Sequence, residues 1–209
     1  MTVATSISFG DLTIQYDDRV LQPRPWTAAQ SRWAAALLVE APPGPVLELC
    51  TGAGQIGLLA VLESDRDLVM LDLSDAACEL ARRNADAAGL GGRVEIRQGR
   101  MQDVLATDER FAVVIADPPW VPTAAMGRFP EDPPLAIDGG ADGLDLVRSC
   151  LAVIEGHLRA GGSAVLQVGT TEQRDVVECE LAGRAGRRLS LAESRAHDRG
   201  VLLHLAADA

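Results

Sequence analysis

The chain has 209 residues, of which 30 are acidic and 19 basic, giving a formal charge of −11; 47% are hydrophobic and 23% charged. That balance describes one soluble globular domain and excludes disorder, collagen-like repeats and a coiled coil. Every basic residue is arginine, and the absence of lysine excludes a P-loop, pyridoxal or Schiff-base chemistry and a protein-kinase site.

In chain order, Ile7 to Tyr16 reads as a small hairpin, Val20 to Thr27 (VLQPRPWT) as a loop and Ala28 to Glu40 as a helix. Pro42, Pro43 and Pro45 separate this part from the rest, so residues 1–44 are expected to cap a main domain over 45–209. Pro45 to Cys50 is a buried strand and Gln55 to Leu62 the helix after it. Asp67 to Asp72 is the second strand of this part. Ser74 suits the N-cap of a helix through Ala88, with Gly89 beyond its end. Arg93 to Arg97 and the wholly apolar Phe111 to Ala116 are strands, the latter covered on both faces. A helix over Gly143 to Leu158, closed by Gly161 and Gly162, leads to a strand over Ser163 to Val168. Thr171 to Gly183 is helical. The last two strands, Arg188 to Glu193 and Gly200 to Ala206, are joined by seven residues, too few for a helical crossover, and should form an antiparallel hairpin. The alternation specifies a doubly wound α/β fold with a mainly parallel seven-stranded sheet, Rossmann-like, ending in that hairpin.

The four cysteines (Cys50, Cys78, Cys150, Cys179) form no CxxC pair, and the three histidines have no metal-ligand spacing. Reduced thiols and no metal site are expected. His157 and His204 lie in apolar-periodic stretches and read as packed residues. No apolar run reaches the ~18 residues of a membrane helix. The opening MTVATSISFGD lacks the basic flank and apolar core of a secretory signal, so the expected location is the cytoplasm.

Gly52, Gly54 and Gly57 satisfy G-x-G-x-x-G where the strand ending at Cys50 opens into a helix, and Asp72 ends the next strand. Glycines there allow a tight turn and close ligand approach, and the acid suits ribose hydroxyls. The pattern fits either a dinucleotide or S-adenosylmethionine; Glu48, just before the glycines, suits the latter. A dehydrogenase of the Tyr-x-x-x-Lys type is excluded without lysine.

Asp117-Pro118-Pro119-Trp120 follows the fourth strand of the main sheet. It should face the same crevice, because ligand sites in such sheets lie at the strands' carboxyl ends. Two prolines remove two N–H donors, leaving the Asp117 carboxylate and the Pro118 carbonyl as acceptors beside a flat Trp120. Such a corner suits a planar NH2 group held for in-line methyl transfer.

On these residues the sequence resembles the class I S-adenosylmethionine-dependent methyltransferases, in their HemK-like branch, which methylates a glutamine side-chain amide in peptide-chain release factors. Asp117-Pro-Pro-Trp120 stands where that branch has Asn-Pro-Pro-Tyr. The loop VLQPRPWT and the segment Glu131 to Asp145 (EDPPLAIDGGADGLD) resemble two further stretches of the branch. The resemblance implies S-adenosylmethionine as cofactor and no metal. It places Glu48, Cys50, Thr51, Gly52, Gly54 and Gln55 in the cofactor loop. Asp72, Leu73, Arg100, Met101 and Asp117 would complete the cofactor site. Asp117, Pro118, Pro119 and Trp120 would be the catalytic corner. Arg24, Trp26, Thr27, Phe129, Asp138 and Gly139 would shape the acceptor pocket.

The sequence departs from the branch in several ways. Aspartate replaces the asparagine, as in amino-group methyltransferases acting on adenine. The branch's N-terminal helical domain is absent from this sequence. Arg100 stands where an acid usually holds adenine, leaving Asp103 to do so, and Trp26 replaces another acid. The expected acceptor is a planar amide or amino nitrogen, and its source stays open: a protein glutamine fits the resemblance, a small metabolite fits the acidity and the missing helical domain, and a nucleobase amino group fits Asp117 but is disfavoured by the charge of −11. A catalytically retired cofactor-binding module is the non-enzymatic alternative. The sequence does not reveal the oligomeric state.

Overall fold

The computed structural model describes residues 5–184, 186 and 188–207; residues 1–4, the start of the stretch read for a signal, lie outside it. Its elements in order are β1 (Thr5–Phe9), β2 (Leu12–Tyr16), α1 (Ala28–Glu40), β3 (Val46–Leu49), α2 (Gln55–Val61), β4 (Leu68–Asp72), α3 (Asp75–Ala87) and β5 (Val94–Gln98). There follow α4 (Met101–Val104), β6 (Phe111–Ala116), α5 (Pro134–Ile137), α6 (Asp145–His157), β7 (Leu158–Val168), α7 (Thr171–Gly183), β8 (Leu189–His197) and β9 (Gly200–Ala207).

Seven strands form one sheet in the order β5-β4-β3-β6-β7-β9-β8. The first five of that order are parallel, while β9 runs antiparallel to both β7 and β8. The order reverses between β3 and β6, which opens a crevice at their carboxyl ends. One face of the sheet is covered by α1, α2 and α3 over Val46, Met70, Val113, Ile115 and Val165. The other is covered by α6 and α7 over Leu47, Leu71, Val114, Leu166 and Leu203. The N-terminal hairpin joins the first of these cores through Phe9, Leu12 and Ile14. Asn84 of α3 fastens it, donating to the Gln15 carbonyl at 2.9 Å and accepting from the Gln15 N–H at 2.8 Å.

Local chemistry sets the boundaries of α3. Ser74 Oγ accepts from the Ala77 N–H at 3.3 Å, and Gly89 follows the helix at φ +72°. His157 and His204 are both packed: the former lies against Phe111, the latter edge-on to Trp33.

The expected boundaries differ in two places. Gly161 and Gly162 do not close a helix; β7 begins directly at Leu158, and the two glycines sit within it at a register break opposite Phe111 and Val113. The final hairpin has a two-residue turn, Asp198-Arg199, because β8 runs on to His197. The second half of β8 is exposed on both sides of an edge position, so it carries no apolar alternation to read.

Candidate active site

β3 ends at Leu49, and Cys50 takes a left-handed conformation (φ 60°) that throws the chain into the glycine turn. Gly54, at φ +87°, leads into α2. The Gly52 N–H donates to Asp72 Oδ2 at 2.8 Å, and the Ser74 N–H to Oδ1 at 2.9 Å. Asp72 is thus held by two backbone amides at the end of β4, with acceptor capacity left over. Burial raises its carboxyl above the usual range, against the pull of those amides.

Glu48 lies behind this loop, 2% exposed. Its carboxyl accepts from the Gly57 N–H at 2.8 Å and bonds the Thr51 hydroxyl. A Cβ on Gly57 would stand 2.5 Å from Glu48 Oε2, so only glycine fits there. Burial pushes the Glu48 carboxyl up to about 8, with the charges of Asp117 and Asp72 adding to the shift. The folded state therefore favours the protonated acid. Stability from this group is full below its ordinary value of 4.5 and is lost as pH rises through about 8. Calorimetry of the unliganded protein should show the melting temperature falling between pH 5 and 8, with a shallower slope in Glu48→Gln.

A cavity of about 810 Å³ opens along these strand ends. The glycine turn lines it with Cys50, Thr51, Gly52 and Gln55, and the end of β4 with Asp72 and Leu73. Arg100 and Met101 come from the start of α4, and Asp117 to Trp120 from the end of β6. Arg24, Trp26 and Thr27 enter from the N-terminal loop, and Phe129 from the segment after Trp120. The Asp117 carboxyl, desolvated in this wall, is pushed up to about 7. The Trp120 ring lies on Gly169, where a Cβ would approach its Cε3 to 2.1 Å. Gln173 Nε2 donates to the Trp120 carbonyl at 3.0 Å.

Several expected site residues lie outside the cavity lining. Glu48 and Gly54 are beneath the loop; a Cβ on Gly54 would meet Met70 Cε at 2.9 Å, so this glycine serves packing between α2, α3 and β4. Asp138 is exposed and accepts from Thr123 Oγ1 at 2.7 Å and the Gly140 N–H at 3.0 Å. Gly139 donates to the Val121 carbonyl at 2.8 Å and packs against the Gly143 backbone. Asp138 and Gly139 brace the segment beneath Trp120. Asp103 is exposed on α4 and outside the lining; Gln102 is the neighbour that lines it.

Other residues were not singled out in the sequence. Asp132 meets Arg24 in an ion pair at 2.7 Å, joining two loops that line the cavity. Asp198 and Arg199 bring the β8–β9 turn to its mouth, and Gln167 contributes from β7. Gln30, wholly buried on α1, donates to the carbonyls of Ala116 at 2.9 Å and Val165 at 3.0 Å. It clamps β6 to β7 directly below Asp117. Gln30 and Gln167 did leave a signal, as lone amides inside apolar-periodic runs. Gln30→Leu should cost about 2 kcal/mol by stripping two buried carbonyls, lowering the melting temperature by roughly 4–8 °C. The transfer rate should fall with it.

The strand order, parallel but for the final antiparallel hairpin, is that of a class I methyltransferase fold. A family model described as "Methyltransferase domain" matches residues 46–128. The chain is 39% identical over 153 residues to the ribosomal protein uL3 glutamine methyltransferase of Bordetella pertussis, covering 71% of this chain and 50% of that protein. It is 33% identical over 193 residues to the release factor glutamine methyltransferase of Cereibacter sphaeroides, covering 90% and 67%. The crystal structure of the hMettl16 catalytic domain in complex with MAT2A 3′UTR hairpin 1 superposes with a TM-score of 0.74 at 15% identity, covering 94% and 74%, a likeness of fold alone. The chain belongs to the class I S-adenosylmethionine-dependent methyltransferases, in the HemK-like branch. It spans about half the length of the first uL3 glutamine methyltransferases it matches, 50% and 53%. Among the described residues no helix is long and apolar enough to cross a membrane.

Proposed function

We propose that this protein transfers a methyl group from S-adenosylmethionine to the side-chain amide nitrogen of a glutamine in a protein of the cytoplasm. The observation that carries this is one cavity holding both Asp72, set for a ribose, and the Asp117-Pro118-Pro119-Trp120 corner, set for a planar nitrogen. The names of the uL3 and release factor enzymes support glutamine as the acceptor.

The donor set fits the cofactor. Asp72 offers carboxylate oxygens to ribose hydroxyls, while Leu73 and Met101 give apolar walls. Two desolvated carboxyls, Asp72 and Asp117, face a ligand that carries one positive charge. When bound, S-adenosylmethionine supplies an electrophilic methyl group. The protein's own part is positioning. Asp117 and the Pro118 carbonyl each accept one N–H of the amide, Trp120 stacks on its plane, and the nitrogen faces the methyl. Positioning of this kind accounts for several kcal/mol of barrier. The Asp117 carboxylate is also placed to receive the proton that the nitrogen sheds.

The test uses the protein with S-adenosylmethionine tritiated on the methyl group and a methyl-depleted cell extract. Label should appear in the protease-sensitive pool, as methylglutamine, and resist nuclease. Label in the nuclease-sensitive pool would support the nucleobase reading instead, with an acceptor affinity that falls steeply with salt. Label in small molecules, or cofactor binding with no transfer, would overturn the glutamine assignment.

A further inference from the structure

Asp117 has a partner that the reading above does not use. Along β6, Val113 and Ile115 face the α1 layer, while Val114 and Ala116 face α6 and α7. Alternation places Asp117, the next residue, on the α1 side. Along β7, Val165 faces α1, whereas Ala164, Leu166 and Val168 face away. Gln167 therefore points the same way as Asp117. The two strands are parallel and their ladder ends with Ala116 opposite Leu166; Asp117 and Gln167 are the next residue of each, which at the usual strand spacing of roughly 5 Å makes them neighbours. Gln30 ties the strands together below this pair through the Ala116 and Val165 carbonyls.

Gln167 is only 2% exposed, yet it lines the cavity. None of the hydrogen bonds among the described residues uses its carboxamide, although its neighbours Gln30 and Gln173 are both fully engaged as donors. Its carboxamide is not among the buried polar groups left without a partner, so it opens onto the cavity, where a bound group can meet it.

We propose that Gln167 Nε2 donates to the carbonyl oxygen of the acceptor amide, so that Gln167, beside Asp117, selects a carboxamide over an amine. This rests on the glutamine reading above. An amide nitrogen is a poor nucleophile because its lone pair is delocalised onto oxygen. As transfer proceeds, a bond forms from that nitrogen to the methyl carbon, and the carbon–sulfur bond breaks with its electron pair left on sulfur. The N–H proton passes to the Asp117 carboxylate. Negative charge that gathers on the amide oxygen as the proton leaves is held by the Gln167 N–H, in the manner of an oxyanion donor. The product is a neutral N-methyl carboxamide and a protonated Asp117. An amine offers no oxygen and would leave Gln167 unpaired, a penalty that makes such sites selective.

The test compares the full chain with Gln167→Leu and the isosteric Gln167→Glu, using purified ribosomal protein uL3 and release factor as acceptors and mapping the methylated residue by mass spectrometry. In Gln167→Leu, kcat should fall roughly 10²-fold, with cofactor affinity unchanged. A binding readout accompanies this, in the presence of S-adenosylhomocysteine. The wild type should prefer the native acceptor over one whose target glutamine is replaced by leucine, and Gln167→Leu should narrow that preference to what Asp117 and the Pro118 carbonyl still supply. In Gln167→Glu the new carboxyl donates only when protonated, so activity should fall on the alkaline side, where the wild type stays active. Methylation by the wild type with unchanged kcat, discrimination and pH profile in both variants would overturn this proposal alone. Failure of the wild type to methylate glutamine in either protein would overturn the glutamine reading and this proposal with it.

Discussion

Asp117→Ala is expected to lower the transfer rate by roughly 10²- to 10³-fold or more while leaving cofactor affinity within a few-fold. On the proposed roles, the alanine removes both the hydrogen-bond acceptor and the base, but it leaves Asp72 and the glycine loop intact. Asp117→Asn separates the two roles. Its side-chain oxygen can still accept one N–H, but it neither ionises nor accepts a proton.

The pH dependence follows from the position of Asp117. Its carboxyl is pushed from an ordinary value of 3.8 up to about 7 by desolvation. The proposed role, accepting one N–H and then its proton, needs the ionised form. Activity should therefore rise with pH and level off above about 7, and a bound sulfonium cation should draw the midpoint lower. Cofactor binding near neutrality should then release protons, seen as a buffer-dependent heat in calorimetry. Asp117→Asn should flatten the pH profile and abolish that proton release. A wild-type profile in Asp117→Asn would show that Asp117 is not the titrating group. Stability moves the other way: a raised carboxyl loses its stabilising contribution as pH increases to about 7, so Asp117→Asn should melt higher than the wild type at pH 8.

Asp72→Ala should weaken cofactor binding by roughly 10²-fold or more, through loss of charge-assisted hydrogen bonds to ribose worth about 1.5–3 kcal/mol each. The structure adds a second cause. Asp72 also anchors the Gly52 and Ser74 amides, so its removal loosens the turn that the ligand sits on. Asp72→Asn keeps one side-chain acceptor and should lose less. Equilibrium titration with S-adenosylhomocysteine reads both variants without reference to any acceptor. Unchanged affinity in Asp72→Ala would remove Asp72 from the cofactor site.

Arg24, Arg128 and Arg199 reach the rim of the cavity from three separate segments. Arg24 is neutralised by Asp132. This ion pair joins the N-terminal loop to the segment after Trp120, so the acceptor side of the cavity is built from pieces more than a hundred residues apart.

Much of the molecule was legible in the sequence because its signals are local. Apolar runs of four to six residues marked the buried strands, Ser74 and Gly89 marked the ends of α3, and the glycine spacing marked the turn after β3. The lysine-free composition removed whole chemistries before any fold was considered. The Asp-Pro-Pro-Trp corner declared its acceptors through the missing donors of two prolines. What the sequence could not decide were relations between strands. Whether Glu48 faces the ligand or lies behind the loop depends on the path of the glycine turn, and the structure buries it against Gly57. The edge half of β8 was illegible because an exposed edge places no demand on alternation. The clamp that Gln30 places across the ends of β6 and β7 exists only through the β6–β7 register and the docking of α1. It joins residues 86 and 135 positions apart, which only packing can bring into contact.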